Sequence, residues 1–349
     1  MQSEFDLIAA LVKRMPPPGE GVRVGSGDDA AVTEPRGASV TSVDAVVDGV
    51  HFRLEQFGAR AVGRKALAAA LSDLAAMGAE PGEAYVALGV PEAVDDDQLR
   101  ELADGLAEVA ERDGVSVVGG DVTRAPALSL AVTCVGYEPV GGRLVTRDGA
   151  RPGDVVVVTG ELGGAAGGLQ LLERGGSEPE TDEVVASLTA RQLDPQARLD
   201  AGRALAAAGA TAMIDVSDGI GADAGHVARA SGVRIEIDAS RLPLARGLIK
   251  LLGGSEAALP MVLSGGEDYE LLATLPAAAL DQVRASLGES PGITQIGRVL
   301  EGEGSAVLGL EGEELEAGGF DHMRGSRAGS SEGGGSSGGG GSSGGAGSS

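Results

Sequence analysis

The most constraining stretch of this sequence is RAVGRKALAAALSDLAAMGA, residues 60–79, a helical pattern that is apolar on nearly every face and broken by one carboxylate, Asp73. Leu67, Leu71 and Leu74 lie on one side, Ala66, Ala70 and Met77 on the other. Such a helix has to be enclosed by other elements rather than laid on a surface. Asp73 is then expected to be buried. An uncompensated buried carboxylate is costly, so it calls for a proton, an ion pair or a metal. The basic residues nearest in sequence, Arg64 and Lys65, lie two turns back.

Acidic residues recur in five further segments, each time beside glycine or at the end of an apolar run. They are GSGDDAAV (Asp28, Asp29), TSVDAVVDG (Ser42, Asp44, Asp48), VVGGDVTR (Asp121), IDVSDGIGAD (Asp215, Ser217, Asp218) and SGGEDYEL (Glu267, Asp268). Any one of them reads as a turn residue or a helix cap. The set reads as a site. Ser42 and Asp44 are two apart in a strand and share a face, which aims both oxygens at one point. A strand, a helix and glycine-flanked loops converging in this way make a carboxylate cage for hard divalent cations, whose preferred ligands are oxygens. Mg2+ fits best.

Charge and composition narrow the partners. Asp and Glu number 52 against 27 Lys and Arg, a formal net charge of −25. Recognition of nucleic acid needs clustered cations, so no nucleic-acid partner is expected. With no Trp, 3 Tyr and 4 Phe there is also little to build a base-stacking platform. The three lysines, Lys13, Lys65 and Lys250, follow no G-x-x-x-x-G-K pattern, and the histidines, His51, His226 and His322, lack zinc-ligand spacing. No G-x-S-x-G elbow is present, and the single Cys134 lies in the alternating run LSLAVTCVGY, where a buried strand thiol is expected. No apolar run reaches the ~18 residues of a membrane span; no membrane partner is expected, and the protein reads as soluble and cytoplasmic. A chain this acidic can bind a polyphosphate if cations invert the local field. Backbone N–H groups at Gly119, Gly120, Gly163 and Gly164, the latter pair opening a helix, are expected to take phosphate oxygens, with Arg147 and Arg151 adding charge.

Periodicity divides the chain in two. Strands are expected at 40–47, 83–90, 116–121 and 128–140, with helices at 60–79 and 95–112; the second helix opens on Asp95, Asp96 and Asp97, where negative charge suits the helix dipole. This part reads as α+β, its last run suited to antiparallel pairing. After GGRLVTRDGARPGD (141–154) comes a buried strand at 154–160 running into GELGGAAGG, then strand, turn, helix and strand over 212–238. A run at 267–275, a helix near 277–287 and a strand at 293–300 complete an α/β second part. From Gly325 the last 25 residues hold 12 Gly and 9 Ser and cannot build a core.

Seven strings in this order resemble the thiamine-monophosphate kinase family, in the superfamily of aminoimidazole-ribonucleotide-synthetase-like enzymes. They are GDDAAV (27–32), SVDAVVDGVHF (42–52), LSDLAAMGAEP (71–81), GGDVTR (119–124), TRDGARPGD (146–154), DVSDGI (215–220) and SGGEDYEL (264–271). The resemblance spans about residues 3–322. It implies a two-domain aminoimidazole-ribonucleotide-synthetase-like fold. Its parts are an N-terminal α+β domain at 1–140 that binds ATP and Mg2+ and dimerises through a mixed or antiparallel sheet, a linker at 141–153, a C-terminal α/β domain at 154–323 and a disordered Gly/Ser tail at 324–349. It also implies ATP-dependent phosphorylation of thiamine monophosphate to thiamine diphosphate in a homodimer with several Mg2+ ions. Position by position, the resemblance implies metal ligands at Asp29, Ser42, Asp44, Asp73, Asp121, Asp215 and Asp218. It implies nucleotide contacts at Gly120, Asp121, Arg147 and Ser217, and thiamine monophosphate contacts at His51, Glu267 and Phe320. Where relatives often carry Thr, this chain has Val43, which leaves only its backbone carbonyl for a metal.

Such a transfer needs no strong general base. The second ionisation of a phosphate monoester lies near ~6, so the acceptor is already an oxyanion at neutral pH. Catalysis is then positioning plus electrostatics, by direct transfer with no covalent enzyme nucleophile. Two rival readings differ in class. One is another ATP-dependent member of the superfamily, such as aminoimidazole ribonucleotide synthetase, which usually carries Asn where this chain has Ser72. The other is a non-catalytic metal-binding dimer, against which the intact acidic set argues.

Overall fold

The helix around Asp73 organises the whole molecule. The computed structural model describes residues 4–175, 183–288, 292–309 and 312–315. Its first part contains helices α1 (Glu4–Val12), α2 (Leu54–Phe57), α3 (Ala59–Ala76) and α4 (Asp96–Asp113). The strands are β1 (Val22–Val24), β2 (Val32–Thr33), β3 (Ser39–Val47), β4 (Glu80–Val90), β5 (Ser116–Arg124) and β6 (Ser129–Tyr137). The last four form one sheet in the order β3-β6-β4-β5, antiparallel on both sides of β6 and parallel at β4–β5. The run expected to pair antiparallel is thus central and does so twice.

All of α3 except Arg60, Arg64 and Asp73 is buried. It packs on β3 and β6 of this sheet and on α4. The two helix backbones approach unusually closely: a Cβ at Gly63 would stand 2.1 Å from the Leu102 carbonyl oxygen, and one at Gly105 2.0 Å from that of Arg60. α3 ends three residues short of the expected 79, because Gly78 takes φ +68° and turns the chain into β4. α4 opens on Asp95, whose side chain accepts from Gln98 N while the Gln98 side chain accepts from Asp95 N, a capping box.

The second part contains α5 (Gly164–Glu173), α6 (Glu183–Leu193), α7 (Leu199–Ala207), α8 (Ile220–Ser231), α9 (Arg246–Leu252), α10 (Ser255–Ser264) and α11 (Leu280–Leu287). Its strands are β7 (Val155–Thr159), β8 (Ala212–Asp215), β9 (Arg234–Asp238), β10 (Leu271–Leu275), β11 (Ile293–Leu300), β12 (Gly304–Leu308) and β13 (Glu314–Leu315). They form a sheet in the order β13-β12-β9-β11-β7-β10-β8, antiparallel throughout except at β9–β12. β7 is buried on both faces, as its VVVVT sequence requires. Val155 and Val157 join the core around α3, whereas Val156 and Val158 join a second core with α8 and α10.

That alternation explains why α3 is apolar all round: it lies between the two sheets, touching α7 and β8 on the side away from its own sheet. A Cβ at Gly202 of α7 would come within 2.0 Å of the Ala75 carbonyl oxygen. Asp73 and the end of β8 are therefore brought together by packing. The run expected as a strand from 267 begins only at Leu271, because Glu267 (φ +71°) and Tyr269 (φ +50°) take left-handed backbone that no β-ladder accepts. Among the described residues no helix is long and apolar enough to cross a membrane. Phe320 and the Gly/Ser tail lie outside the described residues.

Candidate active site

Strand β3 alternates as its sequence demands. Val40, Ser42, Asp44 and Val46 turn inward, while Thr41, Val43 and Ala45 are exposed. The inward pair meets α3: Ser42 Oγ donates a hydrogen bond to Asp73 Oδ2. Asp44 sits beside them, its carboxyl pushed up to about 6, first by burial and then by the charge and hydrogen bonding of Asp73. Asp73 itself is half-buried rather than enclosed, the one opening on that side of its helix.

The second sheet supplies a third carboxylate. Asp215, the last residue of β8, is buried and accepts from Ser72 Oγ at 2.8 Å. Its carboxyl is pushed up to about 7 by burial, then by the charges of Asp73 and, more weakly, Asp44; the Ser72 hydrogen bond and the Arg147 charge oppose this. Neighbouring Ser42 and Ser72 thus satisfy individual oxygens while the summed negative charge stays largely uncompensated. The cations nearest to Asp73 in sequence point elsewhere. Arg64 Nε binds Glu108 at 2.6 Å, and Lys65 Nζ binds Glu267 at 2.7 Å.

Beyond Asp215 the chain enters the loop that opens α8. Asp223 is buried and its Oδ2 accepts from the backbone N–H of both Ser217 and Asp218, each at 3.2 Å. Burial, then the charges of Asp215 and Asp218, push its carboxyl up to about 8. Ligand atoms of Asp218, Asp223 and His226 all lie within 4.8 Å of one another. Neither Asp223 nor His226 is singled out by the sequence, whose histidines lack zinc-ligand spacing. The available signal was spacing: Asp223 and His226 are three apart on one helix, on the turn following Asp218.

The loop before β10 gathers a different set. Glu267 accepts from Gln192 Nε2 at 2.8 Å in addition to its Lys65 contact, and its carboxyl lies below the usual range. Burial would raise it, but the Lys65 charge and hydrogen bond, the Gln192 hydrogen bond and the charge of His51 prevail. His51 itself accepts from Val47 N through Nδ1 at 3.1 Å. Asp268 accepts from the N–H of Gly163 at 2.7 Å and of Ala165 at 3.3 Å. This corrects one expectation: the start of α5, expected to take phosphate oxygens at Gly163 and Gly164, already holds an internal carboxylate.

The remaining expected residues are more dispersed. Asp29 and Asp121 are exposed, and neither side chain is hydrogen-bonded or ion-paired among the described residues. Strand pairing sets Gly120 in one row with Val86, Val132 and Asp44, and Asp121 in the next, with Ala87, Ala131 and Ala45. Gly120 is there of necessity, since a Cβ would stand 2.1 Å from the Val86 carbonyl oxygen. Arg147 is exposed on the segment joining the two parts, its carbonyl accepting from Ser231 Oγ at 2.8 Å. Ser217 is half-buried and accepts from Glu267 N at 2.9 Å through its carbonyl. Cys134 is a buried strand thiol, as expected, pushed up to about 12 by burial and then by the charges of Asp44 and Asp73.

Residues 27–137 match the family model for the N-terminal domain of AIR synthase related proteins, and residues 151–309 match that for the C-terminal domain. The chain is 40% identical over 319 residues to a thiamine-monophosphate kinase of Mycobacterium tuberculosis, covering 89% of this chain and 88% of the relative. Its fold is similar to the crystal structure of thiamine-monophosphate kinase from Stenotrophomonas maltophilia K279a, with a TM-score of 0.79 and 38% identity over 90% of this chain and 98% of that one. A second solved structure, described as AaThiL complexed with AMPPCP and TMP, has a TM-score of 0.71 and 35% identity over 80% of this chain and 86% of its own. The chain belongs to the AIR synthase related proteins and, within them, to the thiamine-monophosphate kinase family.

Proposed function

We propose that the protein transfers the γ-phosphoryl group of ATP to thiamine monophosphate, forming thiamine diphosphate and ADP in one direct in-line step. The observation that carries this reading is the meeting of Asp44, Asp73 and Asp215 from the two sheets through the helix between them. A relative complexed with AMPPCP and TMP supports both substrates.

The donor set fits Mg2+. Asp44 and Asp215 are pushed up to about 6 and about 7 because like charges share a buried space, and a hard dication relieves both causes at once. Asp29, Ser42, the Val43 carbonyl, Asp44, Asp73, Asp121, Asp215 and Asp218 would hold several such ions. When bound, Mg2+ supplies charge neutralisation for two anionic substrates and for the developing ADP. Gly120, Asp121, Arg147 and Ser217 bind the nucleotide. His51, Glu267 and Phe320 orient thiamine monophosphate, whose phosphate is its own nucleophile.

Thr41, Val43 (66% exposed) and Ala45 are exposed along β3, at the edge of the β3-β6-β4-β5 sheet, and are uncovered among the described residues, which supports dimerisation along that edge. We also take the domain limits as 1–140 and 154–323, joined by 141–153 and followed by the tail at 324–349, and place the enzyme in the cytoplasm. The test mixes ATP, Mg2+ and thiamine monophosphate and follows thiamine diphosphate, with free thiamine as control acceptor. Transfer to free thiamine alone, or ADP–ATP label exchange without acceptor, would overturn the reading.

A further inference from the structure

Lys65 is 1% exposed, on the almost wholly buried helix α3. Its ammonium lies 2.7 Å from Glu267 Oε1 and 5.2 Å from the centre of the Phe57 ring, and makes no second polar contact among the described residues. Replacing a buried ion pair with apolar groups of similar volume is often neutral or stabilising, so stability alone gives no reason for a lysine here.

The reason lies in the loop that Lys65 holds. Glu267 and Tyr269 are the non-glycine residues with positive φ among the described residues, a backbone that costs free energy and persists only when the surroundings enforce it. Two backbone bonds tie this loop to the acidic segment, Glu267 N to the Ser217 carbonyl at 2.9 Å and Tyr269 N to the Val216 carbonyl at 3.0 Å. Glu267 then reaches α3 through Lys65 and α6 through Gln192, so both of its oxygens are taken.

We infer that Lys65 is a positioning residue for the acceptor: it keeps Glu267 ionised and fixed in direction, and with it the strained loop against Ser217. The inference rests on the proposed function. It also reassigns what Glu267 contributes. Paired with Lys65, Glu267 presents a dipole of set orientation rather than a free negative charge, so the cationic ring of the acceptor is oriented rather than attracted from a distance.

Lys65→Met leaves Glu267 facing His51 from the β3 side, Gln192 from α6 and its own neighbours Asp268 and Tyr269, with no fixed cation. A partly buried carboxyl so placed takes up a proton towards neutral pH. The expected result is a KM for thiamine monophosphate raised about tenfold near pH 6.5 and returning towards wild type near pH 8.5, as one unit of pKa is about tenfold in protonation. The KM for ATP and kcat change less than about threefold, and Lys65→Arg restores most of the loss because the charge is kept. His51 also faces Glu267, so the profile is repeated with Glu267→Gln, in which a dependence owed to Glu267 disappears and one owed to the imidazole stays.

Should Lys65→Met not fold, Lys65→Met/Glu267→Gln removes both charges, and its acceptor KM should equal that of Glu267→Gln alone. A difference between those two, a pH-independent KM in Lys65→Met, or a parallel loss in the KM for ATP overturns the inference. Wild-type enzyme without transfer to thiamine monophosphate overturns the proposed function and this inference together. Wild-type transfer with an unchanged KM in Lys65→Met overturns the inference only.

Discussion

The acidic centre and the loop at 267–270 contain the same chemical groups in opposite states of compensation. In the loop, Glu267 has Lys65 and Gln192, and fully buried Glu270 has a bidentate partner in Arg198, at 2.8 and 2.6 Å, together with Thr159 Oγ1 at 2.7 Å. At the centre, Asp44, Asp73 and Asp215 have serine hydroxyls and one another, with exposed Arg147 as the opposing charge on Asp215. Burying charge without a counter-charge is costly, so a fold that matches Glu267 and Glu270 and leaves Asp44, Asp73 and Asp215, with Asp223 on the adjoining helix, to hydroxyl and backbone donors has conceded stability at that point. That deficit is what the proposed cations would relieve.

The largest effect expected from this contrast separates activity from stability. Asp73→Ala should lower the rate of thiamine diphosphate formation by about a thousandfold, the scale of losing one preorganised electrostatic element. Without metal, the same variant should melt no lower than wild type, because a repelling charge has gone. A melting point several degrees below wild type would place Asp73 among the structural carboxylates and break the contrast. Arg198→Ala should behave in the opposite way. It leaves buried Glu270 with the Thr159 hydroxyl and with Arg191, 3.7 Å away, as its remaining counter-charge, a loss of about 3 kcal/mol in urea unfolding, with the rate per folded molecule close to wild type.

How much of this contrast the sequence discloses depends on the range of the interaction. Ser42 and Asp44 share a face by strand period, and Asp73 interrupts an apolar helix; both are local patterns and both are found where the pattern puts them. The pairs that compensate charge are not local. Lys65 reaches Glu267 and Asp268 caps α5 only because α3, α5 and the second sheet pack together, and nothing in GRKALAAALSD or SGGEDYEL names the other. Likewise the strand expected from 267 looked continuous by hydropathy, whereas the left-handed backbone at Glu267 and Tyr269 depends on bonds to Val216 and Ser217. Asp29 and Asp121, implied as metal ligands by the resemblance, are exposed, and neither side chain is hydrogen-bonded or ion-paired among the described residues.

A smaller effect follows from pH. Asp215 has a folded value of about 7 against 3.8 for the free side chain, and Asp44 about 6. A carboxyl with a raised folded value binds its proton more tightly in the native state, so its contribution is most favourable below the unfolded value and declines as pH rises to the folded one. Metal-free protein, kept so by chelator, should therefore lose thermal stability between about pH 4 and pH 7 from this source. Asp215→Asn keeps the acceptor for Ser72 and should remove most of that slope, gaining about 2–3 kcal/mol near pH 8. A slope unchanged in Asp215→Asn would assign the pH dependence to other groups.

The smallest expected effect concerns Asp268, which stands between the two states. It has two backbone N–H donors and the dipole of α5, yet burial still pushes its carboxyl up to about 7, with the charge of Glu270 adding and those N–H groups and Arg191 opposing. If oriented dipoles were as good as a cation, removing the charge should cost stability. The raised value says that they are not. Asp268→Asn, which keeps an oxygen for Gly163 and Ala165, should already be no less stable than wild type near pH 6 and should gain about a further 1 kcal/mol by pH 8, where the last of the ionisation cost is incurred. Asp268→Ala loses the cap itself and should be about 1 kcal/mol less stable than Asp268→Asn at either pH. Urea unfolding of the pair at both pH values decides the matter. A cost for Asn as large as that for Ala would mean that the charge, not the acceptor geometry, holds the start of α5, and Asp268 would then belong with Glu267 and Glu270 as a fully matched carboxylate.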